Sequence, residues 1–226
     1  MNPKGIWRMC AACAGLAALS CALAGCDFAS EAGVPAAGQR GIEAGESSAA
    51  RQQQAAATTT PADGTPIEDV AFPEYTVPVT GAVDMRGKVV PQLVIEKWVA
   101  DEAPELQGKV VMIEFWATWC PPCRRAIPHL NELTDRYGDD LQIISVTAED
   151  IEIVKGFLGV QAMKSAVAID SRSRLANALR IQGIPHAIIC SSDGVVRWQG
   201  NPLALQDEEV QQIVRANRAL VRRQAG

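Results

Sequence analysis

Apolar and polar positions along the second half of the chain follow two periods in turn. VVMIEFWA at residues 110–117 is a nearly continuous apolar run of strand length, which suits a strand buried on both faces. Residues 121–137 then read as a helix, LQIISVT at 141–147 as a strand, 148–158 as a helix, SAVAID at 165–170 as a strand and 171–180 as a helix. HAIICS at 186–191, the turn SDG and VVRWQG at 195–200 predict a hairpin, and residues 206–222 predict a closing helix. Upstream, YTVPVTGAVDMRGKVVPQLVIEKWV at 75–99 offers short β-branched runs broken by Pro and Gly, which predict small strands or a hairpin. Strands separated by helices and followed by a terminal hairpin imply an α/β fold whose sheet is part parallel, part antiparallel.

The first third of the chain has no such pattern. Residues 1–25 hold Lys4 and Arg8 and then an uncharged run rich in Ala and Gly, the form of an export signal. That run is too short and too weakly apolar for a membrane span. LAGC at 23–26 resembles the lipobox of bacterial lipoproteins, which implies lipidation of Cys26 as the mature N-terminus; ordinary cleavage after an A-x-A site in the same stretch is the rival, and both export the domain. From residue 30 to 66 the composition is Ala, Gly, Gln, Ser and Thr, with few large apolar side chains to bury, so residues 26–66 are expected to be an anchor and disordered tether. A flexible tether of that kind spans roughly 30 to 36 Å. The folded domain is expected over residues 67–226.

Composition narrows the function. Without the signal, 19 basic residues face 26 acidic ones, a net charge of −7, which argues against a nucleic-acid partner. About 200 residues suffice for a core without disulfide staples, so the cysteines need another explanation. Of seven, Cys10, Cys13 and Cys21 leave with the signal and Cys26 is taken by the anchor. Cys120, Cys123 and Cys190 remain. One close pair in an exported chain points to redox work.

The pair lies in EFWATWCPPCR at 114–124. A closed zinc site wants four ligands, and His129 and His186 do not supply a common zinc spacing. A structural staple across so short a loop would constrain almost nothing in the unfolded chain. A redox role remains: Cys120 falls at a helix N-terminus, where unpaired amides and the dipole favour a thiolate, and is the expected nucleophile. Cys123, one turn further in and shielded, is expected to resolve the mixed disulfide. Trp116 and Trp119 would pack around the site, Trp116 serving equally well as plain core. Cys190 reads as a small buried hydrophobe, His186 as structural more than catalytic, and His129 as surface or packing.

FWATWCPPC, with GK before its strand, GIP at 183–185, and DG then WQG at 193–200, resembles the thioredoxin-like superfamily, and within it the membrane-tethered thiol-disulfide oxidoreductases of the TlpA and ResA type. The resemblance implies a thioredoxin-like fold, a central mixed β-sheet flanked by helices, with an N-terminal β-hairpin extension. It also implies a cis-proline at Pro185 facing the disulfide, substrate pairing through the backbone of Ile184, substrate contact at Trp119, and a helix kink at Pro128. Glu114 matches the buried acid of thioredoxins, a proton acceptor for the resolving cysteine; its rival reading is a strand-edge acid facing water. Many ResA-like members carry a glutamate three residues after the second cysteine, where this chain has Ala126.

These readings converge on an exported, membrane-anchored enzyme that reduces cysteine pairs in partner proteins, for example apocytochrome c or copper-site proteins. It is expected to need no cofactor or metal, only a membrane electron donor for its dithiol. The two prolines supply no amide hydrogen to the Cys120 sulfur, which favours a reducing couple. A DsbA-like oxidase would carry a long insertion before the strand at residue 141. A thiol peroxidase of the same superfamily and a non-catalytic binding lipoprotein are the alternatives.

Overall fold

The structure, a computed structural model, describes residues 71–100 and 102–226. The expected signal at 1–25, Cys26 and the tether to residue 66 lie outside the described residues. Among the described residues six strands form one sheet in the order β1-β4-β3-β2-β5-β6, with β1 Lys97–Trp98, β2 Val110–Phe115, β3 Leu141–Thr147, β4 Ala166–Ile169, β5 His186–Cys190 and β6 Val196–Gly200. β2, β3 and β4 are parallel; β5 runs antiparallel to β2, β6 to β5, and β1 to β4. The mixed sheet and its helices, α1 Pro121–Tyr137, α2 Ile151–Leu158, α3 Arg174–Ala178 and α4 Asp207–Ala225, are those of the thioredoxin-like fold.

Every residue of β2 is buried, as its unbroken apolar run predicts for the central strand of a covered sheet. Its side chains alternate. Val110 and Met112 pack with Leu130 and Leu133 of α1 and Val210, Ile213 and Val214 of α4. Val111, Ile113 and Phe115 point the other way, to Leu175 and Leu179 of α3 and the turn after it. The crossovers from β2 to β3 and from β3 to β4 progress in one direction, so α1 and α2 share a face.

Residues 75–99 do not form a hairpin. Val89 bridges Val195 beside β6, while Lys97 and Trp98 pair with β4 at the opposite edge. Between them Val90, Leu93 and Ile95 are buried against β2 and β3 on the α3 face. The reason is coverage: α3 has five residues, too few to bury that face alone, and the strap carries the missing apolar side chains across it. Two helices are also shorter than expected. Asp150 caps α2 by accepting the Glu152 N–H at 2.8 Å, which leaves 148–150 outside the helix. Ser173 and Arg180 adopt left-handed φ values of 50° and 51°, which bound α3 on both sides.

Candidate active site

β2 ends one turn before the cysteines. Cys120 is the N-cap of α1, with extended φ and ψ of −90° and 103°, and Pro121 and Pro122 take the first two helical positions, where proline's fixed φ fits and its missing N–H costs nothing. Cys120 and Cys123 are joined as a disulfide. The Cys123 backbone N–H donates to Cys120 Sγ at 3.2 Å. One directed amide therefore reaches that sulfur, and it comes from position 123, a detail the proline count alone did not reveal. Cys120 is 2% exposed and Cys123 fully buried, while Trp119 beside them is 69% exposed.

Across from the pair, the Ile184 carbonyl oxygen lies 3.8 Å from Cys120 Sγ, and the Ile184–Pro185 peptide bond is cis. Ile184 is half-buried and Pro185 buried. A cavity of about 180 Å³ opens between these elements, lined by Trp116, Trp119, Thr147, Glu149, Ser173 and Ile184. Pro128 interrupts α1 and cannot donate to the Arg124 carbonyl; the Gln161 side chain supplies that hydrogen bond instead, at 3.3 Å. Ala126 is buried on the inner face of α1, with no carboxylate at that position.

Glu114 sits in the middle of the sheet, opposite Ser145 on β3 and Ala187 on β5, and is 1% exposed, so it does not face water at an edge. By alternation it shares the α1 face with Met112. Neither carboxylate oxygen has a hydrogen bond. Burial therefore raises its pKa from 4.5 to about 7, and the Ser145 hydroxyl opposite offsets part of that rise. At hydrogen-bond distance that hydroxyl meets Ser165 Oγ, 2.8 Å away.

A second carboxylate at the site has no signal in the sequence. Glu149, in the loop after β3, accepts the Thr118 N–H and the Thr118 hydroxyl, each at 2.7 Å, and the Thr147 hydroxyl at 3.2 Å. Thr118 lies two residues before Cys120, so this carboxylate ties the approach loop to β3. Trp116 is buried with its ring centroid 5.4 Å from that of Phe157, and its Nε1 has no partner.

His186 and Cys190 are both buried on β5. The Gln199 amide is oriented by the Met85 N–H, which it accepts at 2.9 Å, and by the Val83 carbonyl, to which it donates at 2.9 Å. Its remaining N–H faces His186 Nε2 at 3.1 Å, so that nitrogen is an acceptor and the ring is neutral with its proton on Nδ1. Burial lowers the His186 pKa in the same sense. Gln199, braced by His186, thus ties the strap at 83–85 to the sheet. Cys190 pairs with Val111, and burial drives its thiol pKa far upward, which leaves it chemically inert. His129 is half-buried on α1.

A model of the Redoxin family matches residues 101–214. The thiol-disulfide oxidoreductase ResA of Bacillus cereus is 33% identical over 114 residues, which cover 49% of this chain and 66% of that protein. The thioredoxin-like protein YneN of Bacillus subtilis (strain 168) is 32% identical over 108 residues, 45% of this chain and 63% of that protein. The chain thus spans just under two thirds of the length of these relatives. Among solved structures, the solution structure of a thioredoxin-like protein in the oxidized form superposes with a TM-score of 0.51 at 23% identity, over 58% of this chain and 97% of that one, a likeness of fold.

Proposed function

The chain belongs to the Redoxin family, and we propose that within it the protein is an exported thiol-disulfide oxidoreductase that reduces cysteine pairs in partner proteins. The observation that carries this reading is the Cys120–Cys123 disulfide at the N-terminus of α1, with the Ile184 backbone beside Cys120 and a buried carboxylate on the same sheet face as Cys123. ResA, named a thiol-disulfide oxidoreductase, supports it.

In the proposed cycle the Cys120 thiolate attacks a substrate disulfide, Trp119 and the backbone of Ile184 before Pro185 hold the substrate chain, and Cys123 resolves the adduct with Glu114 taking its proton. Partners are cysteine-containing proteins outside the cytoplasm, apocytochrome c or copper-site proteins among them, and a membrane donor restores the dithiol. Only one amide, that of Cys123, is available to a Cys120 thiolate, and a less stabilised thiolate gives a more reducing couple. Titration against a dithiol standard is therefore expected to place the potential nearer the thioredoxin value of about −270 mV than the DsbA value of about −120 mV. A value near the latter would reverse the proposed direction.

Anchoring is a separate proposal. No described helix is long and apolar enough to cross a membrane; the proposed anchor rests on the LAGC motif alone, which offers a lipid on Cys26. The mature protein is expected to begin at Cys26 with the mass of a diacylglycerol added, and Cys26→Ser to lose it. An unmodified N-terminus elsewhere would remove the anchor from the reading.

A further inference from the structure

The sheet sets a pair of serines beside Glu114. Ser145 stands opposite it in the parallel register, on the same face, and is fully buried. Its Oγ lies 2.8 Å from Ser165 Oγ, and either atom can be the donor. Ser165 precedes β4, is 9% exposed and adjoins the exposed Lys164. Two hydroxyls that satisfied only each other would do so anywhere in the layer. Here one of them, Ser145, stands beside a buried carboxylate whose oxygens have no hydrogen bond.

We propose that Ser145, oriented by Ser165, is the positioning residue that sets the proton affinity of Glu114. The proposal rests on the reading of Glu114 as the proton acceptor for Cys123. Each serine hydroxyl carries one proton and can accept another, so the pair has an arrangement for each state of the acid. With Glu114 ionised, Ser165 donates to Ser145 and Ser145 turns its proton to the carboxylate. With Glu114 protonated, the acid donates to Ser145 and Ser145 donates to Ser165. In the structure Ser145 donates to neither oxygen, so reaching either arrangement takes a shift of the Ser145 or Glu114 side chain as well as hydroxyl rotations.

In the resolving step the Cys123 S–H gives its proton to the Glu114 carboxylate and its sulfur forms the bond to Cys120 Sγ. The bond from Cys120 to the substrate sulfur breaks, and the substrate leaves as a thiolate. One negative charge passes from carboxylate to departing sulfur. Ser145 stabilises that charge while it is on Glu114, so its hydroxyl sets the pH at which the acceptor is available.

The titratable group to reckon with on α1 is His129, half-buried, with its Nε2 buried and without a hydrogen bond. Toward this face α1 turns Cys123, Ala126, Ile127 and Leu130, α2 turns Val154, α4 turns Val210, Ile213 and Val214, β4 contributes Val167 and β5 contributes Ala187. His129 lies seven residues before Arg136, on the α1 flank whose Arg136 pairs with Asp207 of α4. Lys164 and Asp135 neutralise each other at the surface, 2.5 Å apart.

The test is a carboxyl-carbon NMR titration of the full-length disulfide form labelled at glutamate, the Glu114 signal being assigned by its loss in Glu114→Gln. Ser145→Ala is expected to raise the Glu114 midpoint by about one pH unit, the scale of one hydrogen bond to a charged group. Ser165→Ala, which leaves the Ser145 hydroxyl in place but removes its orienting partner, should raise the midpoint by a smaller amount, and Ser145→Thr should restore it. An unmoved midpoint in Ser145→Ala, or an equal rise in both alanine variants, overturns the proposal. The titration reads the resting disulfide form and needs no turnover. A protein that reduces no substrate would sink the functional reading and leave this result standing.

Discussion

Cys120→Ser is expected to lower protein-disulfide reduction by at least ~10³-fold, the scale on which loss of a covalent nucleophile acts, while Cys123→Ala should keep the first attack and stall as a mixed disulfide. The asymmetry follows from position. Cys120 caps α1, with the Cys123 N–H directed at its sulfur and the helix dipole behind it, so its thiolate is the one the backbone favours. A serine there keeps the cap and the fold but has no accessible anion. Cys123 is fully buried one turn in, reachable by the Cys120 sulfur and not by a folded substrate. Insulin reduction measures the first variant, and intact-mass spectrometry of adducts in extracts measures the second. Wild-type rates in Cys120→Ser, or adducts on Cys123 in a Cys120→Ala variant, would exchange the two roles.

What could be read from the sequence was what depends on local pattern. The continuous apolar run of β2 and the bounds of α1 are set by burial and by the cap-and-proline signature at 120–122, which act within a few residues. The strap at 75–99 has the same β-branched residues as a hairpin, and its course is decided by which sheet face lacks cover, a property of the assembled sheet. Glu149 was hidden for a similar reason. Its partner Thr118 is 31 residues away, and only the parallel pairing of β2 with β3 brings the two loops together. Ser145 became significant only through register, since nothing in LQIISVT says that its serine faces Glu114. Gln199 likewise looks like an ordinary polar residue of an edge strand until Met85, Val83 and His186 are seen to fix all its hydrogen bonds.

Glu114→Gln is expected to change stability and kinetics in opposite senses. In the folded protein the carboxyl has a pKa of about 7, against 4.5 for an unburied glutamate. A raised acid pKa favours the protonated form on folding. Below 4.5 both states hold the proton and nothing is lost; between 4.5 and about 7 the unfolded chain ionises while the folded one does not, and stability falls by about 3 kcal/mol, a deficit that persists above 7. Glutamine cannot ionise, so the variant should lack this fall. Comparing denaturant unfolding of the disulfide form at pH 4 and pH 8 within each protein cancels any constant cost of burying the amide. Kinetically, release of the mixed disulfide should slow by about a hundredfold near pH 7, within the usual range for losing a general base, and recover at high pH as hydroxide takes the Cys123 proton. The first attack by Cys120 should change little. Equal release rates from pH 6 to 9, together with a parallel pH dependence of stability, would leave Glu114 as a buried acid with no part in the exchange.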